Sequence, residues 1–319
     1  MDLSTNLRTM LAACEAVKPG EKVLIVADNE PPTARLGQKL LDVILSMGND
    51  ATLAIIPSRE IDGAEPSAAV AAAMKVVNVI FSVALKATIS HTTARKESTA
   101  LGVRFHLITG TEKDLEKEMS VEDFRQVKER TIKLSKALRA AKKARVTTKA
   151  GTDVTFEIGG RATLAVYPGN PFNGPIPYYA ESAVTPIEGT AEGTIVVDLA
   201  FRNWNYLLEE PVKITVKGGK LVDISGAKKE TDRLWQLAKT DENATNIAEL
   251  GIGTSHVLPR PLSGSSLDFA RYGTAHIAIG RNNDIGGQTM SRIHQDVLMN
   301  EPTIELDNQC VLKDGKVVI

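Results

Sequence analysis

A histidine and an aspartate two residues apart are the sharpest candidate for a reactive site in this chain. The segment Ser291-Arg-Ile-His-Gln-Asp carries His294 and Asp296. In an extended segment residues i and i+2 project from the same face, so this imidazole and this carboxylate can bind one metal ion together. A lone His-x-Asp pair is more often a surface histidine beside a solvated aspartate. Its interpretation therefore depends on the other polar residues of the same half of the chain.

Three further residues of that half could join the pair. His276 lies in Gly273-Thr-Ala-His-Ile-Ala-Ile-Gly, where its same-face neighbours on a strand are all small. That leaves room either for an ion or for a buried structural histidine. Glu249 is flanked by apolar residues, and a buried carboxylate needs a cation or strong donors to stay charged. Glu181, in Tyr179-Ala-Glu-Ser-Ala, is by itself typical of an exposed loop.

Together these residues offer two imidazoles, three carboxylates and no thiolate. Mixed nitrogen and oxygen donors suit zinc, cobalt, manganese or iron(II). Five ligands exceed what one catalytic ion with open positions needs, and they fit two ions about 3.5–4 Å apart that share a carboxylate and a hydroxide. We therefore expect a divalent metal site in the C-terminal half.

The surrounding elements indicate an α/β protein of two domains, the usual number for 319 residues. Over the first third, short apolar runs such as Val23-Leu-Ile-Val-Ala alternate with helical periodicity, which predicts a doubly wound parallel sheet. Ser120-Val-Glu-Asp is typical of a capping box, and the long helix that it opens is predicted to end in the basic run 139–145. Strand patterns with glycine turns follow. We therefore predict an α/β domain over residues 1–144 and a mixed α+β domain, carrying the metal site, over residues 145–319.

Composition argues against several classes of function. A formal net charge of −1 and 4% aromatic residues give no footprint for nucleic acid, and no glycine-rich phosphate loop occurs. No apolar run reaches the roughly 20 residues needed to span a bilayer, and no signal peptide is recognisable. The two cysteines, Cys14 and Cys310, form no metal-spaced pair. We expect a cytoplasmic protein that acts on a small molecule or peptide, without nucleic-acid or membrane partners.

As a set, the motifs resemble the aminopeptidase T family of metallopeptidases, the leucyl aminopeptidases, and especially its shorter relatives. The resemblance is best over about residues 180–307. It rests on Glu181 with Ala-Val-Thr-Pro-Ile-Glu-Gly, Asn246-Ile-Ala-Glu-Leu-Gly, His276-Ile-Ala-Ile-Gly-Arg, Gly286-Gly and Ile293-His-Gln-Asp. It implies a homodimer in which a pair of divalent ions is bound by Glu181, Glu249, His276, His294 and Asp296.

The chain departs from that family in two places. The family's tyrosine ligand, seven residues after the first histidine, is replaced by Asn283. An acidic stretch before that histidine is replaced by Asp268-Phe-Ala-Arg-Tyr. These departures concern peptide hydrolysis more than metal binding.

A second branch of the same superfamily is also similar: the 2,5-dihydroxypyridine 5,6-dioxygenases, which open an aromatic ring at a mononuclear iron(II). The similarity lies in chain length, in Ala191-Glu-Gly-Thr-Ile-Val-Val-Asp and in Gly286-Gly through His294 and Asp296. The third iron ligand of that branch is a histidine that corresponds to Glu249, and His256 is near enough to substitute. A histidine that acts as a base there corresponds to His91, so the resemblance makes His91 a candidate catalytic residue; a helix N-terminal histidine without a catalytic role is equally compatible.

The presence of His276 and Glu181, which the dioxygenase branch lacks, favours the hydrolase. We therefore expect a two-metal, aminopeptidase-like hydrolase that uses zinc, cobalt or manganese to cleave a small peptide or amide. The alternatives are a mononuclear iron(II) ring-cleaving dioxygenase and a catalytically inactive binding protein that keeps the fold.

Overall fold

The computed structural model describes residues 2–58, 64–84, 89–90, 92–108, 111–117, 119–170, 174–258, 261–283 and 285–319. The helices are α1 Leu3–Ala13, α2 Pro31–Ser46, α3 Ala68–Ala73, α4 Thr93–Ala100, α5 Glu112–Leu115, α6 Val121–Ala140 and α7 Lys228–Ala238, with a 3₁₀ turn at Ser266–Ala270. The strands are β1 Lys22–Asp28, β2 Asp50–Ile56, β3 Val79–Val83, β4 Arg104–Ile108, β5 Lys143–Thr147, β6 Asp153–Glu157, β7 Thr163–Val166, β8 Gly174–Ile176, β9 Glu181–Val184, β10 Glu192–Val197, β11 Ala200–Phe201, β12 Val212–Lys217, β13 Lys220–Ser225, β14 Ile247–Gly253, β15 Thr274–Gly280, β16 His294–Asn300, β17 Thr303–Leu306, β18 Gln309–Lys313 and β19 Lys316–Val317. Within the described residues, no helix combines the length and apolarity that a membrane span requires.

The chain separates into two compact units. The first comprises Met1–Lys128 and Val166–Tyr179, and the second comprises Glu129–Ala165 and Ala180–Ile319. The division falls inside α6, because the C-terminal half of that helix contributes Leu134 and Leu138 to the core of the second unit. The boundary predicted between residues 144 and 145 lies within the second unit on this division.

A parallel sheet organises the first unit. Its strand order is β2-β1-β3-β4-β8, and each recorded pairing is parallel. Helices cover both faces: Gly37 of α2 packs against Ala27, whereas Leu24 and Val26 face a cluster that includes Ala94 of α4. A Cβ at residue 37 would lie only 3.0 Å from the Ala27 Cβ, so glycine lets helix and sheet approach closely. The βα alternation predicted from the sequence forms this α/β arrangement.

Two antiparallel sheets face each other in the second unit. The larger has the order β13-β12-β10-β6-β5-β17-β18-β19, and the smaller has the order β11-β16-β15-β14-β9-β7. One buried cluster joins them: Val154 and Ile195 come from the larger sheet, and Ile277 and Val297 come from the smaller. Because side chains alternate along a strand, the residues between these core positions project from the opposite face of the smaller sheet.

The structure corrects one predicted element and adds others. The basic run 139–145 does not close the helix, because α6 ends at Ala140 and Lys143 already begins β5. There Arg145 pairs with Asp153 of the neighbouring strand at 2.8 Å. The predicted capping box does open α6, with the Asp123 amide donating to the Ser120 hydroxyl at 3.1 Å.

Candidate metal centre

The predicted ligands lie on the polar face of the smaller antiparallel sheet. On β15, Ala275, Ile277 and Ile279 point into the core between the sheets, so His276 points to the opposite face. On β16, Val297 and Met299 likewise point into the core. Asp296 is the register partner of Ala278, and His294 is the register partner of Gly280. The same-face projection predicted for His294 and Asp296 is confirmed.

A β-bulge brings Glu249 onto that face. The register of β14 against β15 shifts between Ile247 and Glu249, leaving Ala248 as the additional residue. Ile247 and Leu250 both contribute to the core, which strict alternation would not allow for residues three apart. The bulge therefore turns Glu249 away from the core and toward His276 and Asp296. It re-aims one side chain without disturbing the apolar pattern of the rest of the strand.

The imidazole and carboxylate groups of these residues lie close together. One ligand atom from each of Glu249, His276 and Asp296 lies within 4.8 Å of the others. His294 Nε2 lies 3.2 Å from Glu249 Oε2 and 3.1 Å from Asp296 Oδ1. Glu181 approaches through His276, with 3.5 Å between Glu181 Oε2 and His276 Nε2. All five residues named from the sequence therefore meet on one sheet face.

Burial distinguishes these residues from ordinary surface groups. Asp296 is fully buried, His276 is 1% exposed and Glu249 is 5% exposed. Glu181 lies on β9 and is buried, so the exposed loop that its local sequence suggested is wrong. Grouping three buried carboxylates costs free energy unless positive charge accompanies them.

Arg202 supplies part of that charge, and nothing in the sequence pointed to it. Its Nη1 donates to Asp296 Oδ2 at 2.8 Å. The residue follows the two-residue strand β11, which pairs with β16 beside Val297 and Leu298. No motif or spacing links residue 202 to residue 296. Only the strand pairing brings them together.

A backbone carbonyl fixes the orientation of the His294 ring. The Nδ1 of His294 lies 2.7 Å from the carbonyl oxygen of Arg281. A carbonyl oxygen can only accept, so Nδ1 carries the proton and donates it. The Nε2 atom is then left facing Glu249 and Asp296, which is the arrangement of a metal-ligating histidine oriented by a hydrogen bond from its second nitrogen.

The electrostatics of the site favour a positive charge among its carboxylates. Burial raises the pKa of Glu181 to about 7, and the Glu249 carboxylate adds to the rise. Burial would also raise the pKa of Asp296, but the charges of Arg202 and His294 outweigh it and hold that pKa below its usual range. For His294, burial lowers the pKa, whereas Asp296 and Glu249 raise it well above its usual value. A positive charge between these carboxylates, a proton on His294 or a metal ion, is therefore strongly favoured.

Two observations fit a metal ion at this position. First, nitrogen and oxygen donors from three strands lie close enough together to bind one ion; they belong to Glu249, His276 and Asp296. In addition, His276 Nδ1 is buried and has no hydrogen-bond partner in the part of the chain described. Such an unsatisfied buried nitrogen is costly unless something binds it.

Two other histidines named from the sequence do not join this group. His256 is exposed, and its Nδ1 lies 3.1 Å from Arg130 Nη1. It is Glu249, not His256, that lies beside His294. His91, the candidate base, lies outside the described residues. The two cysteines are unpaired.

Comparison with known proteins assigns the family. The family model for 2,5-dihydroxypyridine 5,6-dioxygenase (NicX) matches residues 2–319. A 2,5-dihydroxypyridine 5,6-dioxygenase of Pseudomonas putida is 25% identical over 247 residues, which cover 72% of this chain and 68% of that protein. A solved structure of 2,5-dihydroxypyridine dioxygenase from Pseudomonas putida superimposes with a TM-score of 0.81 at 17% identity, covering 99% of this chain and 96% of that one.

These matches overturn the hydrolase expected from the sequence. The aminopeptidase-like, peptide-cleaving interpretation is wrong, because the match that extends over the whole chain is to a ring-cleaving dioxygenase family. His276 and Glu181 do not discriminate between the two branches. Imidazole and carboxylate donors serve both hydrolytic ions and iron(II), so the donor set alone cannot separate them. From residue 2 to residue 319, this chain belongs to the 2,5-dihydroxypyridine 5,6-dioxygenase (NicX) family.

Proposed function

We propose that this protein is an iron(II)-dependent dioxygenase that opens the ring of a hydroxylated pyridine, with 2,5-dihydroxypyridine as the first substrate to test. The family match over residues 2–319 supports the reaction class. The observation that carries the proposal is the convergence of Glu249, His276 and Asp296 within 4.8 Å on one buried sheet face. This mixture of imidazole and carboxylate donors suits iron(II) oxygenases.

Four side chains would hold the ion: Glu249, His276, His294 and Asp296. Iron(II), when bound there, supplies the redox chemistry that couples an electron-rich ring to O2. Arg202 keeps Asp296 ionised by holding its second oxygen at 2.8 Å. The Arg281 carbonyl keeps the His294 ring turned so that Nε2 faces the site. These contacts preorganise the ligands before substrate arrives.

Glu181 is the proposed proton acceptor within the site. Burial places its pKa at about 7, close to the value at which a carboxylate can both take and return a proton near neutral pH. Loss of the proton from a hydroxyl group on the substrate ring makes the ring more electron-rich, so the reaction needs a group that accepts this proton. We assign the role of accepting that proton to Glu181, whose Oε2 lies 3.5 Å from Nε2 of the proposed ligand His276.

Oxygen incorporation tests the proposed reaction. Protein loaded with iron(II) under anaerobic conditions is given 2,5-dihydroxypyridine and ¹⁸O2, and O2 uptake and product mass are recorded. A ring-opened product carrying two ¹⁸O atoms is expected. Asp296→Asn should abolish uptake, whereas Glu192→Gln, which changes an exposed carboxylate at the start of β10, should leave it unchanged. Absence of O2 uptake by the iron-loaded wild-type protein would contradict the proposal.

The assembly expected from the resemblance is part of this proposal. A homodimer acting on a small-molecule substrate is predicted, and sedimentation velocity of the purified protein measures it. A species with the mass of a single 34.3 kDa chain at micromolar concentration would contradict the dimer without affecting the proposed chemistry.

A further inference from the structure

The connection between β15 and β16 is built around one buried amide. Asn282 is fully buried, and both its backbone and its side chain are engaged. Its N–H donates to the Thr289 carbonyl at 3.0 Å, and its Oδ1 accepts from the Thr289 N–H at 2.8 Å. Its carbonyl accepts from the Gly287 N–H at 2.9 Å. Asn282 therefore holds the two ends of this turn together.

Glu188 anchors that amide from a different part of the chain. Its Oε1 accepts from Asn282 Nδ2 at 3.1 Å and from the Gln288 N–H at 2.9 Å. Its other oxygen pairs with Arg161, which also reaches the Gly286 carbonyl at 3.4 Å. The segments Ile187-Glu-Gly and Gly286-Gly thus meet in one hydrogen-bonded contact.

The contact needs a carboxylate and a glycine. Burial raises the pKa of Glu188, but the Gln288 N–H, Asn282 and Arg161 hold it below its usual value, so residue 188 accepts as an anion. A Cβ at residue 287 would lie 2.1 Å from the Asn282 side chain, so residue 287 must lack a side chain. The carboxylate at residue 188 and the absence of a side chain at residue 287 are therefore both needed for Asn282 to keep its position.

A single peptide plane links this contact to the metal centre. The carbonyl of Arg281 and the N–H of Asn282 belong to the same peptide group. In a trans peptide these two groups point in opposite directions. Holding the Asn282 N–H on Thr289 therefore aims the Arg281 carbonyl the other way, where it accepts from His294 Nδ1 at 2.7 Å.

We infer that Glu188 is a positioning residue for the metal centre: through Asn282 it fixes the Arg281 carbonyl, and through that carbonyl the ring of His294. The inference rests on the proposed metal site only for its consequence in catalysis. Its physical content is the orientation of one imidazole, which can be measured without metal. Within the described residues, the hydrogen bonds and ion pair of Glu188 go to Asn282, Gln288 and Arg161 and not to a predicted ligand.

Two variants break the contact from opposite sides. Glu188→Gln replaces an acceptor by an amide whose NH2 group faces the existing donors, and Gly287→Ala displaces Asn282. Glu192→Gln is the matched control, because Glu192 also accepts a backbone N–H, that of Gly218 at 2.7 Å, outside the contact with Asn282. Thermal unfolding of all three establishes that each is folded, and the second variant serves if the first is not.

Histidine side-chain NMR of the metal-free protein gives the primary readout. The wild-type protein and Glu192→Gln should show a slowly exchanging His294 Nδ1–H resonance, assigned with His294→Gln. That resonance should broaden or disappear in Glu188→Gln and Gly287→Ala. In cobalt(II) titrations, both variants should bind about 10–100-fold more weakly, the usual effect of removing an outer hydrogen bond from a ligating histidine.

The outcomes separate this inference from the proposed function. An unchanged His294 Nδ1–H resonance in the folded variants overturns the inference, whatever their metal affinity. Loss of the resonance supports it, even if the wild-type protein binds no divalent ion, a result that would overturn only the proposed function. Equal weakening of cobalt binding by Glu192→Gln would also overturn it.

Discussion

The imidazole of His276 occupies the space that any side chain at residue 251 would need. The two residues are register partners on β14 and β15. A Cβ built on Gly251 would lie 2.1 Å from His276 Nε2, far inside van der Waals contact. The ring also meets Phe269 edge-on, with 5.6 Å between ring centroids, so it is confined from a second direction. The missing side chain at residue 251 thus determines where His276 can lie.

Gly251→Ala should therefore weaken metal binding. The added methyl group forces the His276 ring away from Glu249 and Asp296, and we expect the affinity for cobalt(II) to fall at least about tenfold, with a loss of about 1–3 kcal/mol in the free energy of unfolding as in other overpacked sites. Titration with cobalt(II), monitored by absorbance, measures the change in affinity. Urea unfolding measures the change in the free energy of unfolding.

A double-mutant cycle identifies the cause. In a His276→Ala background the space above residue 251 is open, so adding Gly251→Ala should cost almost nothing further. Equal costs of Gly251→Ala with and without the imidazole would show that the methyl group acts elsewhere.

Arg202→Met should destabilise the metal-free protein. It leaves Asp296 buried without its guanidinium partner. Removing one member of a fully buried pair costs about 3–5 kcal/mol, and because the Arg202 side chain keeps 35% of its area exposed we expect about 2–3 kcal/mol. A divalent ion should recover part of the loss, since it neutralises the same carboxylate. Urea unfolding with and without cobalt(II) measures both.

Arg145→Met is the matched control for that comparison. Arg145 pairs with Asp153 at the same 2.8 Å, but both side chains are about half exposed. Exposed pairs of this kind contribute about 0–1 kcal/mol. If Arg145→Met and Arg202→Met cost the same, burial of Asp296 does not have the importance assigned to it.

Local patterns were sufficient to predict the parallel sheet and the pair His294 and Asp296. Both predictions depend on periodicity. A short apolar run indicates a strand that is buried on both faces, and an i, i+2 spacing places two side chains on the same face of a strand. The burial of Glu249 was also predictable from its apolar neighbours, and it is 5% exposed.

Features that depend on register were not predictable. The bulge at Ala248 reverses the alternation of β14, and no residue type there marks it. Arg202 reaches Asp296 only through the pairing of β11 with β16. Glu188 reaches Asn282 across 94 positions of the chain. The reaction class is not predictable from the ligands for a different reason: the ligand types determine that a divalent ion can bind, but not which reaction the ion then supports.

The stability of the first unit should depend on pH through His106. Burial lowers the pKa of this histidine to about 4, and its ring stacks on Phe81. In the unfolded chain a histidine titrates near 6.5, so between about pH 6.5 and pH 4 the unfolded state binds a proton that the folded state does not. The contribution is therefore complete above about pH 6.5 and is lost as the pH falls toward 4.

The expected size follows from the difference between the two pKa values, 6.5 and about 4. At about 1.4 kcal/mol per pKa unit, His106 should account for a loss of about 3–3.5 kcal/mol over that range. Urea unfolding at several pH values, compared between the wild-type protein and His106→Gln, measures it. His256→Gln is the control, because His256 is exposed. A pH profile that is the same with and without His106 would contradict the prediction.

Divalent metal should stabilise the folded protein through Glu249. A ligand that binds only the folded state adds RT ln(1 + [L]/Kd), about 2.7 kcal/mol at a free concentration one hundred times Kd. Cobalt(II) should therefore raise the thermal midpoint of the wild-type protein and of Glu192→Gln, whereas Glu249→Gln removes one of the three convergent donors and should lose most of the increase. Differential scanning calorimetry with and without chelator measures these shifts.

The metal-free protein provides the control for this prediction. Because Glu249 is buried among carboxylates, neutralising it should leave the metal-free protein as stable as before or more stable. A Glu249→Gln variant that keeps the full metal-dependent increase in the thermal midpoint would remove Glu249 from the ligand set.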